Sequence, residues 1–533
     1  MEWENTQTKR AVAQLILLLA LFFICILRLF VLSSDEKLVT AGDIQSGKRF
    51  VLYRPRGNIY DCNMLSLTQQ ETETKIAVLP TEKGAIALSR LLSGTELQKN
   101  LNRLHEGTPV LLPEMTADIY TDTLRIKIPK RYNNAQAATH LIGYINGEGQ
   151  GVSGIEKAMN DALYSEETVD LVLRTNAIGE TLPGIQAEIT KGSAVSDLVL
   201  TIDNRIQQIA EKAAKQLPAG AVVVSEVGTG KVRAMVSTPS YNPNAVEEVL
   251  TAENSPLLNR ALTTYSVGSV FKPCVAAAAI ESGVSPARLF NCTGSMTIAD
   301  RQFHCHKLSG HGMLELCGAL GQSCNCYFYQ LSQKLGTETL LRYMRSFSFG
   351  QSRDIGCNIR QPAGTVPTES DIKNPGNLAN LSIGQGDLLL TPLAISSLYE
   401  AIAGDGVYHN PSILEAVIQN GERQSTATAA ATRAMSAETA TLLKQYLIQA
   451  FQDGTGKEAA PETPGVVAGG KTATAETGWL KNGKAITHGW LCGFVEVGEK
   501  CFTIVVFCEE ATSGATSCSP VFKQVAEQLA QLF

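Results

Sequence analysis

The sequence has no surplus of basic residues: 45 lysines and arginines stand against 51 aspartates and glutamates, and charged residues make up only 18% of the chain. The formal charge of −6 gives no surface for neutralising a nucleic-acid backbone, so nucleic acid is excluded as a partner. A second absence concerns processing. The stretch from Ala11 to Ser33 is almost wholly apolar, broken by Gln14 and Arg28, yet no Ala-x-Ala-like cleavage site follows Leu32. Residues 11–33 therefore read as a retained transmembrane anchor, long enough to cross a hydrocarbon core of roughly 30 Å, behind a cytoplasmic tail of residues 1–10. Lys9 and Arg10 on one side and Lys37, Lys48 and Arg49 on the other leave orientation unset by charge. Large domains translocate largely regardless of flanking charge, which permits an extracytoplasmic C-terminal part.

The third absence is a standard zinc spacing. His304-Cys305-His306 with His311 fits none, and solvated loop histidines are the simpler account. Cysteine itself is plentiful at thirteen, of which Cys25 falls in the anchor. Outside the cell the others can form disulfides. Cys292 and Cys305 bracket a hairpin-sized segment and are the favoured pair, whereas Cys501, Cys508 and Cys518 have no obvious match.

A chain this long divides, and two domains are expected after the anchor. Phe50–Tyr53 reads as a strand running into a Pro/Gly turn at Arg54–Asp61, residues 81–104 as helical with a break at Gly94, and Val110–Leu112 as a short buried strand. Residues 34–195 show no catalytic cluster and form a small structural module. At Asp197–Asp203 the pattern changes to a strand and then a helix, so the second domain covers 196–533. Two apolar segments flank Gly228-Thr229-Gly230 as a hairpin, a second hairpin turns at Gly498-Glu499-Lys500, and a terminal helix runs from Val521 to Leu532. Between the hairpins Ala437–Phe451 is helical, and the Ala/Thr-rich run Thr426–Thr432 reads as a mobile connector.

Three short polar motifs carry chemistry. Ser269 and Lys272 are three apart, so on a helix beginning near Ser269 the amine approaches the hydroxyl. A serine hydroxyl needs such a base, and burial of the root by the apolar run Cys274–Ile280 lowers a lysine's pKa toward that role. Ser323-Cys324-Asn325 precedes an amphipathic helix: Ser323 suits a proton relay between Lys272 and a leaving amine, and Asn325 suits orientation of the lysine and a substrate amide. Lys471-Thr472-Ala473-Thr474 follows a glycine-rich approach to a strand. On a sheet edge its backbone can pair with an extended peptide, Lys471 can attract a terminal carboxylate, and Thr472 and Thr474 can hydrogen-bond it. Backbone N–H groups of Ser269 and Thr474 would then form an oxyanion hole. Alone, each motif has a bland reading as a chance match, a helix cap or an ordinary edge strand.

Together they resemble the Ser-x-x-Lys, Ser-x-Asn and Lys-Thr-Gly set of penicillin-binding proteins and class A β-lactamases. The chain is similar to class B penicillin-binding proteins, the peptidoglycan D,D-transpeptidases, over most of its length. Further matches are Arg56–Asp61 after the anchor, Gly151–Glu156, Ser237–Pro243, Asn259-Arg260-Ala261, Ile383–Gly386 with Thr391-Pro392, and Gly454-Thr455-Gly456. The resemblance implies an α+β fold: a five-stranded antiparallel sheet with helices, preceded by a transmembrane helix and a pedestal- or dimerisation-type module. It implies a serine acyl-enzyme on Ser269 that cross-links peptidoglycan stem peptides, acylation of Ser269 by β-lactams, no metal or cofactor, and a membrane-embedded glycan polymerase as partner. A D,D-carboxypeptidase or β-lactamase-like hydrolase and a penicillin-binding sensor or scaffold are the alternatives. The intact motifs and the lack of a long cytoplasmic segment speak against the latter. Elongation, division and sporulation programmes stay open. One departure stands out: Ala473 occupies the place where the family usually has glycine.

Overall fold

The computed structural model describes residues 2–34, 47–114, 122–176, 187–193, 195–481 and 483–533. The apolar start forms one helix, α1 (Glu2–Ser34), and its span Gln7–Ser34, with a mean hydropathy of 3.1 in its most apolar window, is exposed throughout. Such a helix fits a single-pass membrane anchor by length and composition.

The chain divides into two compact units, the smaller made of residues 1–55, 72–130 and 165–193 and the larger of 56–71, 131–164 and 194–533. In the smaller unit, helices Glu82–Leu91 and Gly94–His105 bury Leu88, Leu91 and Leu104 against Ile76, Val78, Val110 and Leu112. The break expected at Gly94 lies there because Leu92 and Ser93 are extended before it, and Gly94 itself has φ +63°.

The larger unit begins with β1 (Ile59–Tyr60), which pairs in parallel with β2 (Ser196–Leu200). Behind them, Glu156 is wholly buried between Arg56 and Arg131, each guanidinium Nε lying 2.6 Å from a different carboxylate oxygen, and Tyr132 Oη donates to it at 2.9 Å. Burial alone would raise the Glu156 carboxyl, but Arg131 and Arg56 together overrule it and hold it below its ordinary value. Two of the sequence segments singled out above, Arg56–Asp61 and Gly151–Glu156, thus meet in one ion pair.

After helix α2 (Asn204–Ala214), capped by the Asp203 side chain, come β3 (Gly220–Glu226) and β4 (Val232–Thr238). A helical region follows, including α3 (Lys272–Glu281), α4 (Asn325–Leu335) and α5 (Pro392–Ala403). Strand β5 (Leu414–Gln419) returns to pair with β2, α6 (Ala437–Gln452) crosses back, and β6 (Val467–Lys481), β7 (Lys484–Val497), β8 (Lys500–Cys508) and α7 (Gly514–Leu532) close the chain. The main sheet is antiparallel with order β4-β3-β8-β7-β6, as the family resemblance implied.

Its strands read as nearly continuous apolar runs because both faces are covered. Val223, Met235, Ala473, Trp490, Cys492 and Val505 face the helical region, while Val222, Val224, Leu491, Ile504 and Val506 pack with α2 and α7. That two-residue alternation is the strand's own geometry. The terminal helix starts seven residues before the expected Val521, because Ser513 caps it by accepting from Thr516 N, and Pro520 is tolerated inside it. Part of the expected connector at Thr426–Thr432 is a strand, Ala431–Arg433, paired with Val407–His409.

Candidate active site

Ser269 sits in a single 3₁₀ turn, Gly268–Phe271, that feeds directly into α3, so Ser269 and Lys272 lie on one tight helical entry. The turn is held from two sides. Gly268 N donates to Gly384 O at 2.8 Å, and a β-carbon on Gly384 would lie 2.1 Å from Gly268 O, so this approach admits only glycine. From below, Tyr399 Oη donates to Val270 O at 2.9 Å and Trp490 Nε1 to Ser266 O at 2.9 Å. The segment Ile383–Gly386 thus acts by positioning the serine turn.

Lys272 is fully buried. Its Nζ donates to Asn325 Oδ1 at 2.7 Å, to Ser323 O at 2.8 Å and to Ser323 Oγ at 3.3 Å. Burial lowers its pKa from 10.5 to about 7, against the opposing effect of Cys324, Cys305 and Cys326. Among the described residues no hydrogen bond joins Ser269 Oγ to Lys272, so the amine is anchored on the Ser323–Asn325 turn with the nucleophile beside it. Ser323 has φ +54°, an uncommon conformation for a residue with a side chain, and Asn325 opens α4.

On the sheet side, β6 is an edge strand. Lys471 Nζ donates to Thr472 O at 2.9 Å and to Thr455 Oγ1 at 3.4 Å, and Thr472 Oγ1 lies 3.1 Å from Thr455 Oγ1. Burial, reinforced by Lys272, holds the Lys471 amine well below its ordinary value. Thr474 is exposed, and its Oγ1 accepts from Gly514 N at 3.2 Å. Ala473 is buried and directed toward Gly268. Thr455, from the Gly-Thr-Gly segment, is a residue to which the sequence assigned no role; the two flanking glycines were its only signal.

The cysteines differ from expectation. All thirteen are free thiols, so the bridge anticipated between Cys292 and Cys305 is not formed. His311, expected to be solvated, instead turns its Nδ1 toward both sulfurs, at 3.5 Å from Cys292 Sγ and 3.6 Å from Cys305 Sγ. The hairpin brings these groups together as supposed, but backbone bonds rather than a disulfide close it: Cys305 N to Gly294 O at 2.8 Å and His311 N to Cys292 O at 3.0 Å.

Residues 220–527 match the family described as the penicillin binding protein transpeptidase domain. The chain is 31% identical over 365 residues to the penicillin-binding protein PbpB of Mycobacterium tuberculosis, a match covering 65% of this chain and 52% of that protein. It is 27% identical over 434 residues to the peptidoglycan D,D-transpeptidase MrdA of Escherichia coli, covering 69% of this chain and 67% of the relative. The chain thus spans about half to two thirds of these relatives' length. Among solved structures, one described as coordinating polymerization and crosslinking in a peptidoglycan synthase complex superposes with a TM-score of 0.73 at 23% identity, covering 97% of this chain and 98% of the other. At that identity the likeness concerns the fold.

Proposed function

The chain belongs to the penicillin-binding protein transpeptidase family, in class B, and from that premise we propose that it is a membrane-anchored peptidoglycan D,D-transpeptidase working through an acyl-enzyme on Ser269. The observation that carries the reading is Lys272: a fully buried amine, lowered to about 7 and held between Ser323 and Asn325 one helical turn from an accessible serine. A neutral amine there is a base at neutral pH.

In the first half-reaction Lys272 Nζ takes the Ser269 proton, and Ser269 Oγ attacks the carbonyl carbon between the two terminal D-alanines of a stem peptide. Backbone N–H groups of Ser269 and Thr474 receive the oxyanion. The proton passes through Ser323 Oγ to the departing amine, the C–N bond breaks, and D-alanine leaves. In the second, an amine of a neighbouring strand attacks the ester, loses a proton back toward Lys272, and regenerates Ser269. Lys471 receives the substrate carboxylate. An anion arriving beside its buried, down-shifted amine favours the charged form, so binding itself completes the ion pair. Thr472 and Thr474 hydrogen-bond the same carboxylate, and β6, as an edge, offers backbone pairing to the peptide.

β-Lactams acylate the same serine in this reading. Residues 1–10 lie in the cytoplasm and 11–33 cross the membrane; of the module the sequence placed at 34–195, residues up to 55, 72–130 and 165–193 serve as a pedestal, while 56–71 and 131–164 join 196–533 in the extracytoplasmic transpeptidase domain beside a membrane-embedded glycan polymerase. The test is labelling with a fluorescent penicillin, parent against Ser269→Ala. The parent should label and the variant should not; surviving label would overturn the nucleophile. Stem peptide supplied with an acceptor amine should give cross-linked product, whereas hydrolysis alone would make the chain a carboxypeptidase.

A further inference from the structure

The segment Ser237–Pro243, singled out in the sequence, takes no part in the proposed chemistry. It begins in β4, which is one edge of the main sheet while β6 is the other, so four strand spacings of about 4.8 Å, or roughly 19 Å, separate it from the catalytic strand. There it borders a cavity of about 400 Å³ whose walls come from residues 134–140, from α2 and its end, and from 235–242, all within the larger unit. That volume is in the range of ligand sites.

Part of the β4 edge is already covered. Gln207, near the start of α2, holds its side-chain amide against Met235 as a peptide unit would: its Oε1 accepts from Met235 N at 2.9 Å and its Nε2 donates to Met235 O at 3.1 Å. Main-chain groups of a strand alternate in direction, so those of Ser237 point the same outward way. Among the described residues no hydrogen bond reaches Ser237 N or O, although Ser237 is buried. A second group at the cavity has the same deficit. Gln136, only 6% exposed, donates through Nε2 to Leu67 O at 2.9 Å and to Ala137 O at 3.0 Å, and its Oε1 has no partner. Buried polar groups are rarely left so, and two at one cavity mark the place of an occupant.

The ionisable groups of the wall narrow its chemistry. Glu211, one turn along α2 from Gln207, accepts at Oε1 from Ala138 N and from Gln207 Nε2, both at 2.8 Å, and burial raises its carboxyl above the ordinary value. His140 donates through Nε2 to Pro256 O at 2.6 Å, stands edge-on to the Tyr241 ring, and is kept neutral by burial, which lowers its pKa to about 4. Lys215 sits at the exposed rim. We propose that the cavity takes an extended peptide segment carrying a lysine or arginine side chain. One residue pairs with Ser237 N–H and C=O, continuing the ladder that Gln207 begins. The side chain next to it turns toward α2, where its N–H groups reach Gln136 Oε1 and the second oxygen of Glu211. Ammonium and guanidinium groups carry donors only, which matches these acceptors. The paired stretch is short, about two or three residues, because Gln207 holds the edge on one side and Pro239, without an N–H, ends it on the other.

Binding here stands independently of the transpeptidase reading. The probe is a fluorescein-labelled pentapeptide amide with a central lysine between valines and glycines at both ends, read by polarisation against the full chain in detergent at neutral pH. Versions with arginine, norleucine or glutamate at the centre are measured beside it. A basic peptide should saturate one site, with the norleucine and glutamate peptides roughly tenfold weaker or more, the scale of one lost charge-assisted contact. Glu211→Gln should weaken the basic peptide by roughly tenfold and Gln136→Leu by a similar factor. Hydrogen exchange should show the Ser237 amide protected on binding and the amides of β6 unchanged, and protein already labelled with penicillin should bind the peptide as before. No saturable binding by either basic peptide, equal binding of the norleucine peptide, protection on β6 in place of Ser237, or loss of binding after penicillin labelling overturns the site. If Glu211→Gln fails to fold, Gln136→Leu and the exchange at Ser237 carry the decision. A chain that binds the peptide and never labels with penicillin loses the transpeptidase reading and keeps this site.

Discussion

The methyl of Ala473 faces Gly268: a β-carbon placed on Gly268 would lie 3.4 Å from Ala473 Cβ and 3.1 Å from Ala475 Cβ. The residue that departs from the family's glycine thus packs on the turn carrying Ser269, on the buried face of β6. Ala473→Gly removes that buttress and adds backbone freedom, at a cost of about 1 kcal/mol in stability. Acylation by a β-lactam should slow by roughly threefold to tenfold while the protein stays folded. Stopped-flow acylation with a thermal melt decides it. Identical kinetics would show the methyl to be irrelevant, and faster kinetics would show it to obstruct the ligand.

The protonation of Lys272 sets a pH dependence. Only the neutral amine accepts the serine proton, and its pKa is lowered from 10.5 to about 7 by burial. The acylation rate should therefore fall on the acid side with a midpoint near 7 and level off above it. A profile flat from pH 5 to pH 9, roughly two units either side, would exclude Lys272 as the base.

Asn325→Asp tests the same group from its partner. Asn325 Oδ1 accepts from Lys272 Nζ at 2.7 Å, so a carboxylate there favours the ammonium form. The acid midpoint should move to higher pH and the rate at neutral pH should fall by about tenfold or more. An unmoved midpoint would separate the asparagine from the lysine's titration.

Glu156→Ala should act on stability. It leaves the Arg56 and Arg131 guanidiniums buried with no counter-charge, a loss of about 3–5 kcal/mol. Because the folded-state pKa is depressed, the parent's benefit is present above the ordinary carboxylate range and fades as pH falls through the lowered value. The melting temperature of the variant should drop sharply at neutral pH, with the acylation rate of the remaining folded protein unchanged; equal melting curves would refute the role of this ion pair.

Much of the sheet was legible because apolar segments flank glycine turns: Gly228-Thr229-Gly230 and Gly498-Glu499-Lys500 mark the β3–β4 and β7–β8 hairpins where they occur. Ser323 and Asn325 were legible as partners of Lys272 because three motifs occurred in order. The start of α7 was not: Ser513 supplies the cap and the helix runs on through Pro520, a residue that ordinarily interrupts one. Nor was the approach of His311 to Cys292 and Cys305. The three residues end or flank separate short strands, and their convergence depends on Gly294 and Gly310 crossing with positive φ, which residue spacing does not encode. Thr455 is legible only once Lys471 and Thr472 are seen to share its hydroxyl.

The chain crosses between its two compact units at 55/56, 71/72, 130/131, 164/165 and 193/194, and β2 relies for its parallel neighbour on Ile59 and Tyr60, far upstream. Recombination between relatives is constrained by that weaving. A crossover near residue 196 would set one parent's β1 against the other parent's β2. Viable chimaeras must exchange residues 56–71 and 131–164 together with everything after 194, so what is passed on intact is a set of interleaved segments, not a contiguous stretch of gene.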